Sequence, residues 1–458
     1  MSSMIFVNRS DELAKLEKWF TAPGPHLALV WGRRRVGKTS LLREFATSRR
    51  SLIHVGASRP LANQLDLLGR QLQGLSGVSD RMSRRVLRSW DDVFDVLVEL
   101  SEIEPLLVIL DEFPELLGAS PELPSLLRAR WEELGASSKL RLVLCGSAIR
   151  TMEALQEVRA PLYGRFDLNL LVHPFRPHEA ALMLPKLKPV DRALVWGLLG
   201  GIPLYLSMWE QTASIESNLH ALVASPGARL LIEGELLVDT EGDSGGLGRR
   251  VLYAVAAGRT RHNEIADAIG ADPTRTLDRL VHLRMLERIV PVLDDPRKTR
   301  RRTYQISDNF LRFWLGNVDR LKTDIEIGIG RTAARSLVEG LDDLMGGAWE
   351  DATRSHLRRL ADAGEFGNDV VAVGRQWQDN VAEIDGVVVS GRDRKVVAVA
   401  EAKWAKSVNG AAIARDLVGK LDRLNLASTD LRLIVSSRQI VTNQQGILAL
   451  TAAEIFGT

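Results

Sequence analysis

The chain of 458 residues holds a single cysteine, Cys145, so no disulfide can form within it. That composition suits a reducing compartment. Net charge is also scarce: 60 Lys and Arg stand against 58 Asp and Glu, leaving +2. A global basic field for polyanions is excluded, and any such site must be local. Long apolar runs are missing as well. The run at 106–110 is among the longest and falls far short of the roughly 20 residues that cross a bilayer. The opening MSSMIFVNRSDELAKL lacks the apolar core of a signal peptide. Internal repeats and low-complexity tracts are absent. The expectation is a soluble cytoplasmic protein with no membrane partner.

What is present is ordinary globular material, 45% hydrophobic and 26% charged, long enough for about three domains. In the first part, short apolar runs at 27–31, 52–55, 106–110 and 140–145 alternate with helical patterns such as 90–100. Buried strands alternating with helices predict an α/β fold with a parallel sheet covered on both faces. Cys145 lies in one of these apolar runs and reads as a core residue.

One string carries chemistry. Gly32-Arg33-Arg34-Arg35-Val36-Gly37-Lys38-Thr39 follows the strand LALVW and opens the helix that begins with Thr39-Ser40. This is the glycine-rich phosphate loop in its proper context. The glycines let backbone N–H groups face phosphate oxygens, and the helix N-terminus adds a favourable dipole. Lys38 would neutralise the β- and γ-phosphates, and Thr39 would ligate Mg²⁺. Arg33, Arg34 and Arg35 either add phosphate contacts or stay solvated. The strand LLVILDE delivers Asp111 and Glu112, 73 residues beyond Lys38, to the edge where open α/β sheets bind ligands. Asp111 would hold the metal and Glu112 would orient or activate water. The next strand ends in Gly146-Ser147, a position from which Ser147 can sense the γ-phosphate or position that water.

From about Arg176 the pattern turns helical, and glycines cluster at 241–250 as a hinge or linker. Residues 247–306 then read helix, helix, helix, strand, strand, the order of a winged helix, with Asp272 and Pro273 opening the third helix. Residues 247–312 hold fourteen Lys and Arg against eight Asp and Glu. The wing carries Arg297, Lys298, Arg300, Arg301 and Arg302, and the third helix carries Arg275, Arg279 and Arg284. DNA binding through phosphate contacts and packing as a lid both remain open.

The strings FVNRSDELAKL, GRRRVGKTSLL, LLVILDEFPEL, LVLCGSAIR, APLYGRFDL and LLGGIPLYL together resemble the archaeal-type ATPase family of P-loop NTPases, in the AAA+/STAND group. The resemblance implies ATP and Mg²⁺ as cofactors. It places Arg9 and Glu12 beside the nucleotide and Pro203 of the GGIP turn near the adenine. It makes Arg165 a sensor or finger arginine, with a packing salt bridge as the alternative. Residues 341–458 resemble the restriction-endonuclease-like domain often appended to these ATPases, through Glu350 in a helix, Asp385 in one strand, and Glu401 and Lys403 in the next. Residues 401 and 403 share a strand face because the period is two. Asp385 and Glu401 would hold a divalent cation and Lys403 would support the nucleophile. The expected organisation is an ATPase core at 1–175, a helical lid at 176–240, a winged helix at 241–312, a helical connector at 313–340 and the nuclease-like domain at 341–458. The chain is thereby expected to bind ATP, to meet DNA through its C-terminal parts, and to act as a homo-oligomer or with a partner protein. Either nucleotide turnover drives the C-terminal domains, or ATP occupancy is a slow switch with a binding module behind it, or a nuclease is regulated by the P-loop domain.

Overall fold

The computed structural model describes residues 6–75, 85–135, 137–241, 246–426 and 431–457. Two compact units divide at Pro174 and Phe175. No helix among the described residues is long and apolar enough to cross a membrane.

The first unit is built on five parallel strands, β1 (His26–Trp31), β2 (Ser51–Val55), β3 (Leu106–Asp111), β4 (Leu140–Gly146) and β5 (Leu168–Leu171), in the order β2-β3-β4-β1-β5. Every residue of β3 and β4 is buried. That is why 106–110 reads as an unbroken apolar run rather than an alternating one; in β4 the run is broken by Arg141, buried because its guanidinium donates to the carbonyls of Phe20 and Ala22. On one face Leu27, Leu29, Val108 and Leu142 pack against Leu65, Leu68, Val93 and Leu97 of the helices Leu61–Gln73 and Trp90–Ile103. Ser89 and Asp92 form a reciprocal capping box at the start of the second. The short β5 escaped the sequence reading, since its mixed LNLL is only part-buried.

The second unit begins with the helices Pro177–Leu182, Pro189–Leu199, Pro203–Ser207, Ile215–Leu222 and Arg229–Glu241. These belong with the C-terminal half rather than with the first sheet. Arg192 donates to the Phe456 carbonyl at 3.0 Å, and the Trp196 and Phe456 rings meet edge to face. Both contacts tie the helix Pro189–Leu199 to the final helix Ala452–Phe456. Residues 242–245 of the glycine-rich segment lie outside the described residues. Next come Leu247–Ala256, His262–Ile269, Thr274–His282 and an antiparallel hairpin of β6 (Leu286–Ile289) and β7 (Thr303–Ile306). The third of these helices starts one residue later than expected: Pro273 precedes it, while Asp272 still accepts from the Thr274 N–H at 3.0 Å.

Beyond a connector of short α, 3₁₀ and π turns, the helix Leu341–Asp362 leads into a mixed sheet. Its strands are β8 (Val370–Gln378), β9 (Ala382–Ser390), β10 (Lys395–Lys403), β12 (Arg432–Ser437) and β14 (Ile447–Leu450), in the order β14-β12-β10-β9-β8. Two short strands, β11 (Ser407–Asn409) and β13 (Ile440–Thr442), pair beside it. Alternation divides the core. Val387, Val389 and Val399 face Leu417 and Leu421 of the helix Gly410–Arg423. Val388, Ala398 and Ala400 face Leu357 of the helix Leu341–Asp362.

On that long helix, buried His356 accepts a hydrogen bond from Arg359 at 3.0 Å. Burial first, and the Arg359 charge second, push its pKa down to about 4. The unfolded chain therefore binds the extra proton as pH falls from about 6.5 to about 4, and stability is lost through that window. Between pH 7 and 5 the loss from this residue should be on the order of 2 kcal/mol. Urea unfolding of a His356→Gln variant should show a correspondingly flatter pH dependence.

Candidate functional site

The phosphate loop starts where β1 ends. Gly32 has φ +148°, and a Cβ there would stand 2.4 Å from the Val172 carbonyl oxygen. Only glycine lets the chain pass so close while turning. Gly37, at φ +92°, opens the helix Lys38–Ala46, whose first turn has no side-chain cap. Its free N–H groups and dipole thus point at the place where an anion would sit. Arg9 locks the loop from beneath. It donates to the Val36 carbonyl at 2.7 Å and to Glu12 at 2.8 Å. Asn8 and Arg9 both have positive φ; asparagine tolerates that conformation well.

Strand order then closes the site. The Thr39 hydroxyl donates to Asp111 at 2.7 Å, joining the phosphate loop to the end of β3. Glu112 sits at φ +48°, a strained conformation for a non-glycine residue and of a kind that clusters at functional sites. The Ser147 hydroxyl donates to both its carboxylate oxygens, at 3.0 and 3.3 Å. Lys38 is buried and donates to the carbonyls of Gly32 and Arg33, both at 3.0 Å. Burial pulls its pKa down against the opposing charges of Glu112 and Asp111. Burial likewise pushes the Cys145 thiol well up, with Asp111 adding to it, so this cysteine is a neutral core residue. Arg34, Arg35 and Ser40 are exposed on the rim, whereas Arg33 is buried.

Arg165 is placed elsewhere in the first unit, donating to Glu132 at 2.6 Å in an exposed ion pair. Pro203 belongs to the second unit, at the start of its helix. There Gly201 lies so close to Phe175 that a Cβ would meet its carbonyl oxygen at 1.9 Å.

The mixed sheet gathers the second constellation. Asp385 on β9 accepts from the Ala402 N–H at 2.9 Å. Glu401 on β10 is buried and accepts from Lys403 at 2.8 Å. It also accepts from Lys420 through both oxygens, at 2.7 and 2.8 Å. Glu350 pairs with Arg375 at 3.1 Å and with Arg354 at 3.6 Å. Burial, then the Asp385 charge, push the Glu350 carboxyl up to about 7. Burial and Glu401 raise Asp385. Burial pulls on Lys403, but Glu401 outweighs it and holds the ammonium above the usual lysine value. Sequence reading missed Lys420, Arg354 and Arg375. Lys420 lies on the helix Gly410–Arg423, whose only signal in the sequence is the spacing of apolar residues at 414, 417 and 421. No group of three or more His, Cys, Asp or Glu among the described residues could hold a metal ion.

Strand, glycine-rich loop and helix, closed by Thr39, Asp111 and Glu112 on a parallel sheet, define an ATP-binding P-loop ATPase. Residues 6–209 match the ATPase domain found predominantly in Archaea, and that part of the chain belongs to the family. Residues 314–414 match a family of archaeal and bacterial proteins of unknown function. An uncharacterised protein of Methanocaldococcus jannaschii is 24% identical over 99% of this chain and 100% of its own length. An uncharacterised ATP-binding protein of the same organism is 40% identical over 47 residues, 10% of this chain and 80% of that protein. Among solved structures, a Walker-type ATPase of Pyrococcus abyssi aligns with a TM-score of 0.50 and 21% identity, covering 68% of this chain and 96% of that one. At that identity the likeness is one of fold.

Replacing Gly32 by alanine forces its Cβ against the Val172 carbonyl. The variant should lose about 1–3 kcal/mol or more of stability, read by thermal unfolding, together with nucleotide affinity.

Proposed function

We propose that the chain is a Mg²⁺-dependent ATPase whose nucleotide state controls a DNA-directed C-terminal module. The observation that carries this reading is the junction of Thr39 with Asp111, beside a Glu112 held by Ser147. A hydroxyl and a carboxylate 2.7 Å apart offer the hard oxygen donors that Mg²⁺ prefers, so Thr39 and Asp111 are the residues that would hold it. The ion would supply charge neutralisation across the β- and γ-phosphates. Lys38 exchanges its two loop carbonyls for phosphate oxygens. Gly32 to Ser40 wrap the phosphates, and Arg9 keeps that loop in register. Glu112 orients the attacking water and Ser147 fixes its carboxylate. Arg165 is held by an exposed ion pair of a type worth roughly 0–1 kcal/mol, so little opposes its release toward the γ-phosphate.

In the C-terminal half we read residues 247–306 as a winged helix and the mixed sheet as nuclease-like, with Glu350, Asp385, Glu401 and Lys403 as its working residues. One observation favours a second reading, a slow STAND-type switch with a non-catalytic binding module. Glu401 already has both oxygens bonded to Lys420 and one also to Lys403. As arranged, the carboxylates do not fit a divalent cation.

Lys38→Ala should abolish ATP turnover. Glu112→Gln should keep ATP binding while turnover falls by about 10²-fold or more. Phosphate release and equilibrium nucleotide binding measure the two, and unchanged turnover in both variants would remove the ATPase mechanism. Plasmid and single-stranded DNA incubated with Mg²⁺ or Mn²⁺ and ATP distinguish the two C-terminal readings. Cleavage that disappears in Asp385→Ala supports the nuclease; DNA left intact by the parent supports the switch.

A further inference from the structure

The loop between β6 and β7 does not stand free as a wing. Val292 donates its N–H to the Arg375 carbonyl of β8 at 2.7 Å, and the Leu293 N–H donates to the Gln376 side chain at 3.1 Å. Val292 and Leu293, both half-buried, pack against the core of the mixed sheet. Arg301 holds the turn together, donating to Asp294 at 3.0 Å and to the Trp377 carbonyl at 2.8 Å. Docking of this loop leaves a cleft of about 620 Å³ between it, the start of the helix His262–Ile269 and the end of β8.

The charge in that cleft is one-sided. Arg261, Lys298, Arg300, Arg301 and Arg302 line it, against the single carboxylate of Asp379. Asp379 is already taken by Arg261 at 2.6 Å. Arg300 and Arg302 have no hydrogen-bond or ion-pair partner among the described residues, and the Arg302 Nε is buried without an acceptor. Buried donors are normally paired, and a guanidinium offers five N–H groups in a planar fork that matches phosphate oxygens. The volume lies in the range of small-molecule sites. The tryptophan and tyrosine of the wall, Trp377 and Tyr304, are themselves buried. The recognition on offer is therefore for charge rather than for a stacked base.

We propose that this cleft binds a phosphate group, free or borne on a nucleic-acid strand, with Arg300 and Arg302 as its principal ligands. The inference deepens the DNA-directed reading of the C-terminal half and is independent of the P-loop. It makes the loop a joint between the hairpin and the mixed sheet, with the phosphate bound at that joint. Arg297 is exposed and lies outside the cleft, so it serves as the control for diffuse surface charge.

The test measures binding of a fluorescein-labelled single-stranded 12-mer bearing a 5′-phosphate to the full chain at moderate salt, without ATP. The double variant Arg300→Ala/Arg302→Ala should lose about tenfold or more in affinity, the scale of a lost charge-assisted hydrogen bond. Arg297→Ala should change it less than about twofold. Arg300→Ala alone, at an exposed position, guards against a folding defect and should also weaken binding. Competition by AMP or inorganic phosphate at concentrations that leave a 5′-hydroxyl strand bound assigns the site to a terminal or free phosphate; absence of competition assigns it to the strand backbone. Equal losses in Arg297→Ala and in the cleft variants, or no loss in the cleft variants, overturn the proposal. Duplex DNA binding by the parent is scored separately: its absence removes the DNA-directed reading while leaving the cleft result intact.

Discussion

The close passage of Gly32 beneath the Val172 carbonyl is the contact on which the ATP site depends. The turn after β1 must be tight enough to bring a helix N-terminus over the strand ends. A side chain at this position would push the loop away from β5. With the turn in place, Lys38 points into the loop and Thr39 reaches Asp111 two strands away. The parallel order makes this possible, because the C-terminal ends of β1, β4 and β3 lie along one edge. Arg9 then restrains the far side of the loop through the Val36 carbonyl.

The two charged sites satisfy themselves in opposite ways. In the first, the buried Lys38 ammonium rests on the backbone carbonyls of Gly32 and Arg33, neutral partners weaker than a full charge. In the second, buried carboxylates rest on Lys403, Lys420, Arg354 and Arg375. Replacing those partners with a metal ion means displacing full charges in a partly dry setting, where removal of one partner is costly. The first site thus leaves its cation on neutral partners, whereas in the second the carboxylates are already met by full charges. The shared strand β8 links this network to the docked loop, since Arg375 pairs with Glu350 by its side chain and with Val292 by its carbonyl.

Local chemistry explains which features were legible beforehand. The phosphate loop, its helix and the β3 carboxylates follow from short strings whose meaning lies in neighbouring residues, and the structure places Gly32, Lys38, Thr39, Asp111, Glu112 and Ser147 together. Fully buried strands announced themselves as apolar runs. β5, β11, β13 and β14 did not, because short or half-covered strands carry little pattern. The basic loop at 297–302 read as one surface, yet its members divide: Arg301 fastens the loop, while Arg300 and Arg302 face the cleft. Charge content is visible in a sequence, whereas the partner that neutralises each charge is not.

By itself the sequence determined that a phosphate-binding loop exists, which strand carries the acidic pair and that the sheet is parallel, because glycine spacing and hydrophobic periodicity act over a few residues. Only the tertiary structure decided what meets what across long separations. Lys420 reaches Glu401 from 19 residues away, and the Val292 N–H finds Arg375 across 83 positions. The helices after Phe175 join the C-terminal half rather than the first sheet. Such pairings depend on how whole elements pack, and packing selects among many partners of similar chemistry that the linear order cannot rank.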